Sequence, residues 1–193
     1  MHIGVDLDSV LADIAKPLFS YHNRVYKTNH RINQHRVYDL SVLWDCSKEE
    51  ALSRIHDFYA SPDFLTTKSI PGAEQGIKYL SINHQLRVIT SRPNSISTLT
   101  KNWIDQYFPN RFRAIHETNW VAKNQDEPRQ KKSVVCHQLG IDVIIEDALE
   151  FALDCASNNI RVILMNMPWN QTKTLVFSNP IMSMKSSFKN QQD

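Results

Sequence analysis

The chain alternates between two hydrophobic rhythms. Short apolar, mostly β-branched runs occur at 2–5 ("HIGV"), 86–90 ("LRVIT"), 113–117 ("RAIHE"), 142–146 ("DVIIE") and 161–165 ("RVILM"). Runs of this length and type predict strands destined for burial. Between them lie helical patterns, at 73–83, 95–108, 129–140 and 148–159. Gly140 stands where a helix stop is expected. Strands alternating with helices predict a parallel sheet covered on both faces, a doubly wound α/β core. Right-handed crossovers then place every strand's carboxyl end on one edge, where open α/β sheets bind ligands.

One stretch breaks the alternation. Residues 12–70 lack a clear buried strand and carry amphipathic helical patterns around 11–26 and 47–60. Ser47 with Glu50 three residues on predicts a capping box at the start of the second helix. The stretch reads as a small helical cap inserted after the first strand and lying over the carboxyl edge. The core is then 1–11 together with 71–177. Residues 178–193 are polar and dotted with lysine, and read as a loosely held tail.

Composition narrows the function classes. The 193 residues suit one domain with an insertion, and 41 % hydrophobic residues are enough for a core. A net charge of +2 gives no electrostatic case for a nucleic-acid polymer or an anionic membrane surface. With four glycines there is no glycine-rich phosphate loop. Side chains, a few loop amides and a metal must hold any phosphate. Cys46, Cys136 and Cys155 are odd in number and widely spaced. They favour neither a disulfide framework nor a thiolate zinc site, and a reducing cytoplasm is the natural setting. Asp6, Asp8 and Asp13 argue against a signal peptide. No apolar stretch approaches the roughly 20 residues that span a bilayer.

The candidate chemistry sits at the predicted strand ends. Asp6 and Asp8 follow the first strand. Two such carboxylates repel each other unless a proton or a cation lies between them. "VITSRP" places Thr90, Ser91 and Arg92 after the second strand, and "IIEDA" ends the fourth with Glu146 and Asp147. Each group has an ordinary explanation as a turn or helix cap, and Lys132 alone reads as a solvated helix lysine. Together they bring oxygen ligands, a hydroxyl and an ammonium to one edge. That is the set phosphoryl transfer with Mg²⁺ requires.

These motifs resemble those of the haloacid dehalogenase superfamily of phosphotransferases. "DLDSV" resembles its nucleophile motif, "VIT" its strand-end hydroxyl motif, Lys132 its phosphate-binding lysine and "IIEDA" its acidic metal motif. "IPGAEQGIKYL", "VITSRP", "KKSVVCHQLGIDVIIEDA" and "MPWN" are similar to the 5'(3')-deoxyribonucleotidase-like branch. The resemblance implies Asp6 as the nucleophile and Asp8 as the general acid and base. It implies Mg²⁺ on Asp6, Asp8 (through its carbonyl) and Asp147. Thr90, Ser91 and Lys132 would hold phosphate, with Glu146 and Arg92 in support. Two choices stay open in the residues themselves: Lys132 against Lys131, and Asp147 against Glu146. Ser9 stands where many members have glycine.

The implied substrate is a small phosphomonoester, a nucleoside monophosphate ahead of a sugar phosphate. A non-catalytic binding module is disfavoured by the joint presence of Asp6, Asp8, Thr90 and Asp147. Tyr38 and Trp44 are the candidates for stacking on a base, although cap aromatics also read as the cap's own core. His30, His35 and His56 read as solvated surface ahead of contact with a phosphate or base.

Overall fold

The structure is a computed structural model and describes residues 1–123 and 127–171, together with the backbone of 181–184. Six parallel strands form one sheet: β1 (His2–Val5), β2 (Gln85–Thr90), β3 (Phe112–Glu117), β4 (Val143–Glu146), β5 (Arg161–Met165) and β6 (Ile181–Met184). Their order is β3-β2-β1-β4-β5-β6. The winding reverses between β1 and β4, which opens a crevice at their carboxyl ends. Part of the expected loose tail therefore lies in the sheet, because Ile181–Met184 pairs with Val162–Met165.

Alternation along each strand sorts its side chains to two faces. Ile3, Val5, Leu86, Val88 and Val143 pack with Ile77 of α4 (Ala73–Asn83) and Ile104 of α5 (Ser97–Tyr107). Ile89, Ile144, Val162 and Leu164 pack against α6 (Lys132–Gln138) and α7 (Leu149–Ser157). Gly4 lies opposite the side chains of this second layer. A Cβ there would stand 2.9 Å from Ile89 Cδ1, 3.3 Å from Ile141 Cγ2 and 3.4 Å from Ile144 Cγ1.

Three more helices occupy the inserted stretch: α1 (Ala15–Tyr26), α2 (Leu40–Trp44) and α3 (Lys48–Tyr59). They share a separate apolar cluster, which includes Leu18, Tyr21, Trp44, Phe58, Tyr59 and Phe64. The chain enters and leaves this cap side by side. The Asp13 amide donates to the Lys68 carbonyl at 2.9 Å, and the Ile70 amide to the Leu11 carbonyl at 2.8 Å.

Helix starts differ from the sequence pattern where local bonding intervenes. The chain is still crossing between core and cap at 11–14, so α1 begins at Ala15. Extended backbone at Lys131 delays α6 to Lys132. The expected capping box is half formed: Ser47 accepts from the Glu50 amide at 3.1 Å, while the Glu50 carboxylate takes Arg54 instead. Gly140 ends α6 in the left-handed region, φ 60°, as its position predicts.

The crowding at Gly4 yields a stability prediction. Gly4→Val should destabilise by about 1–3 kcal/mol, the usual range for overpacking a filled core. Thermal unfolding checks it, and an unchanged melting temperature would disprove the close approach.

Candidate active site

The crevice between β1 and β4 brings the acids together. The Asp6 amide extends the β1–β4 ladder by bonding the Ile145 carbonyl at 2.9 Å. The chain then turns sharply, and the amides of Leu11 and Ala12 both reach back to the Leu7 carbonyl. Ser9 carries this turn with φ 65°. That left-handed conformation accounts for a glycine preference at the position.

Lys132, at the first turn of α6, lies between two of the acids. Its Nζ is 2.8 Å from Asp6 Oδ1 and 2.7 Å from Glu146 Oε2. The other Glu146 oxygen accepts from the amides of Asp147 at 3.2 Å and Ala148 at 3.0 Å. Both Glu146 oxygens are thereby committed. Among the described residues Asp147 gives one oxygen away, to the Trp169 indole N–H at 2.9 Å. Asn170 steadies the turn by donating to the carbonyls of Asp147 at 2.8 Å and Met165 at 2.6 Å.

The electrostatics call for a cation. Oxygens of Asp6, Glu146 and Asp147 approach within 4.8 Å of one another, and all three residues are buried. Three ionised carboxylates facing one ammonium would leave an excess of negative charge, which either protons or a cation must offset. Burial first, then Glu146, pushes the Asp6 carboxyl up to about 7. Asp147 is raised well above the usual range by burial, Glu146 and Asp6. Burial opposes the Lys132 ammonium, yet Asp6 and Glu146 hold its pKa above the ordinary value. An all-oxygen donor set with surplus charge fits a hard divalent ion such as Mg²⁺. Asp6 and Asp147 each keep an oxygen without a partner among the described residues, while Glu146 is bonded to Lys132.

At the end of β2, Thr90 is buried and Ser91 follows it. Thr90 Oγ1 accepts from the Arg92 amide at 3.2 Å, which leaves its own proton to donate. Ser91 Oγ is buried with no partner among the described residues. Arg92 was expected only as a supporting group; it is 1 % exposed and grips Asp8 with two bonds. Its Nε and one terminal nitrogen lie 2.9 and 2.6 Å from the two Asp8 oxygens. Its third nitrogen reaches Thr100 Oγ1 at 3.4 Å, and its guanidinium carbon lies 5.0 Å from the Phe64 ring centre. The carboxylate of Asp8 faces Arg92 and stands outside the three-acid cluster.

A cavity of about 640 Å³ opens over these groups, between core and cap. Asp6, Asp8, Thr90, Ser91, Lys132 and Asp147 all line it. Tyr38 also lines it, edge-on to Phe151 with ring centres 5.7 Å apart. Trp44 corrects the sequence reading. It packs inside the cap, stacked on His22 with centres 4.2 Å apart, and does not line the cavity. His35 corrects it in the opposite sense. It is 6 % exposed and lines the cavity. No single-residue pattern separated it from the other cap histidines. Trp169 and Asn170 lie in the quoted "MPWN" motif, but their hold on Asp147 was not foreseen.

The sequence profile of the family described as "5' nucleotidase, deoxy (Pyrimidine), cytosolic type C protein" matches residues 1–177. The chain belongs to this family. A relative, the candidate nucleotidase BH1399 of Halalkalibacterium halodurans, is 26 % identical over 172 residues, covering 89 % of this chain and 82 % of its own. The haloacid dehalogenase-like hydrolase SP0104 of Streptococcus pneumoniae is similar in structure, with TM-score 0.69 and 15 % identity, over 94 % of this chain and 92 % of that one. Protein Tyrosine Kinase A of Mycobacterium tuberculosis also has TM-score 0.69, at 13 % identity, over 97 % and 94 %. These two likenesses concern the fold. As a member of the nucleotidase family the chain is a haloacid dehalogenase superfamily phosphatase. Among the described residues no helix is long and apolar enough to cross a membrane.

Two predictions come from the charge arrangement. The raised Asp6 pKa means that the metal-free protein favours a protonated carboxyl in the folded state. That contribution is complete below the unfolded value of 3.8 and is lost as pH rises through about 7. The melting temperature of the metal-free wild type, measured relative to Asp6→Asn, should fall across this window. Millimolar Mg²⁺ should flatten the fall, and a level difference without metal would contradict it. The second concerns the adjacent lysines. Lys132→Ala should lower phosphatase kcat/KM by roughly 10²–10³, as loss of one charge-stabilising donor does. Lys131 is at the surface, 3.5 Å from Asp154, and Lys131→Ala should cost only a few-fold. Steady-state kinetics decide between them.

Proposed function

We propose that the protein hydrolyses nucleoside 5'-monophosphates with Mg²⁺, through an aspartyl-phosphate on Asp6. The observation that carries this is the position of Asp6. It lies at the floor of a large cavity, fixed by Lys132 through one oxygen and left with the other to attack. Attack on phosphorus splits hydrolysis into two easier steps. Bound at Asp6, Asp147 and the Asp8 carbonyl, Mg²⁺ would supply charge neutralisation for an anionic ester. Lys132, Ser91 and the Thr90 hydroxyl donate to the phosphoryl oxygens, where charge develops. Asp8 gives a proton to the departing alkoxide and then takes one from water. Arg92 fixes the orientation of its carboxylate with two bonds.

The cavity is far larger than a phosphate group, and its cap wall is mostly apolar, with Ile14, Leu18, Phe19, Ile55 and Phe58. Such walls suit a bulky, partly aromatic leaving group. Family membership and the nucleotidase-like relative favour a nucleoside. Free thiols at Cys46, Cys136 and Cys155 suit a cytoplasmic setting.

A screen of phosphomonoesters tests the proposal, run with Mg²⁺ and again with EDTA. Nucleoside 5'-monophosphates should show the highest kcat/KM, and chelation should abolish turnover. Higher values for sugar phosphates would reassign the substrate. Asp6→Asn should abolish both turnover and acid-stable labelling of the protein by radioactive substrate. Asp8→Asn should slow turnover by roughly 10²–10⁴, the value of proton transfer, and less for an aryl phosphate, whose leaving group needs less help. Labelling of Asp6→Asn would exclude it as the nucleophile.

A further inference from the structure

Phe151 makes a contact that the proposed chemistry does not use. It sits in the first turn of α7, shortly after Asp147, and is 8 % exposed. The ammonium of Lys132 lies over its ring, with Nζ 4.9 Å from the ring centre. Both side chains line the cavity that also holds Asp6. The negative face of an aromatic ring attracts a cation within about 6 Å, and more strongly where water is excluded. Lys132 is buried, so little solvent screens this attraction.

The ring supplies what the two acids cannot. An ammonium has three N–H donors. Asp6 and Glu146 accept two of them, at 2.8 and 2.7 Å. Two such bonds leave the nitrogen able to swing about the line that joins the two oxygens. A third contact removes the swing, and the ring is placed to make it. The ring attracts the charge as a whole, so a third N–H stays available to a phosphoryl oxygen. Phe151 is itself held by two aromatic neighbours from separate parts of the chain. Tyr38 of the cap meets it at 75° with centres 5.7 Å apart, and Trp120, after β3, meets it at 90° and 5.9 Å. Edge-to-face contacts of this kind are favoured arrangements for aromatic pairs.

We propose that Phe151 is a positioning residue for Lys132. The electrostatics of its ring face, beyond its bulk, hold the ammonium where it meets the phosphoryl oxygens. The assignment rests on the reading that Lys132 stabilises a phosphoryl group beside Asp6.

The experiment varies the charge of the ring face at nearly constant shape. Phe151 is replaced in turn by mono-, di- and trifluorophenylalanine through stop-codon suppression, and kcat/KM is measured with an aryl phosphate and Mg²⁺. Each fluorine weakens the pull of the ring on a cation. kcat/KM should fall step by step, by about five- to thirtyfold over the series, the range of a desolvated cation–π contact. Phe151→Leu keeps an apolar wall without a ring and should fall about as far. The same fluorinated series in a Lys132→Ala background should be level. Melting temperatures establish that each variant is folded, and the fluorinated variants serve if the Leu variant is not. A level series with Lys132 present overturns the assignment, even where Phe151→Leu is impaired, because bulk alone then accounts for the loss. So does a graded fall that persists without Lys132, which gives the ring another partner. The underlying reading is tested apart from this: full activity in Lys132→Ala removes the lysine from the phosphoryl site and overturns the Phe151 assignment with it. If nucleotides are not hydrolysed but the aryl phosphate shows the Lys132-dependent graded fall, the nucleotide reading fails and the Phe151 assignment stands.

Discussion

The ammonium of Lys132 lies between Asp6 and Glu146, 2.8 and 2.7 Å from their oxygens, with almost no solvent beside it. The crevice depends on this contact. It joins three elements, because Asp6 follows β1, Glu146 ends β4 and Lys132 opens α6. It also divides the labour among the acids. Glu146, bonded by the ammonium and by two amides, is saturated. Asp6 and Asp147 retain free oxygens and surplus charge. Such a cluster must take up protons or a cation, and with a cation bound it would make room for an anion.

Arg92 is the second organising charge, and it ties the chemistry to the cap. One side of its guanidinium holds Asp8; its ring contact is Phe64, in the cap's apolar cluster. Ile96 and Val121 from the core side pack against that same cluster. The position of the cap and the position of the Asp8 carboxylate are thus set by overlapping contacts. Residues that form the cap's own core, Trp44 among them, act on the site only through this packing. Residues on its inner wall, such as Phe19, His35 and Tyr38, line the cavity instead.

The core was legible in the sequence because its strands are short, apolar and bounded by turns. Five of the six strands and all four core helices lie where the hydrophobic rhythm places them, within a few residues. β6 was not legible, since the polar stretch around it carries no buried pattern. The strand-end residues were legible because chemistry at a sheet edge needs particular side chains there. The partnerships among them were not. Arg92 meets Asp8 across 84 positions of sequence, and Trp169 meets Asp147 across 22. No local pattern encodes such pairings, which depend on how helices settle against the sheet. His35 and Trp44 were misjudged for a related reason. Inside a small irregular cap, periodicity does not tell an inner wall from an inner core.

The paired crossing that carries the chain into and out of the cap has an evolutionary consequence. Leu11 and Asp13 are bonded to Ile70 and Lys68, so the two ends of the insertion meet at a fixed gap whatever lies between them. Closing a loop costs little more as it lengthens. The core meets the same two-strand doorway if the intervening helices are shortened, extended or exchanged. A lineage with this doorway can replace its substrate-facing wall wholesale while leaving Asp6, Lys132 and Asp147 undisturbed. Diversification of substrates is then a matter of swapping a module, without rebuilding the reaction centre.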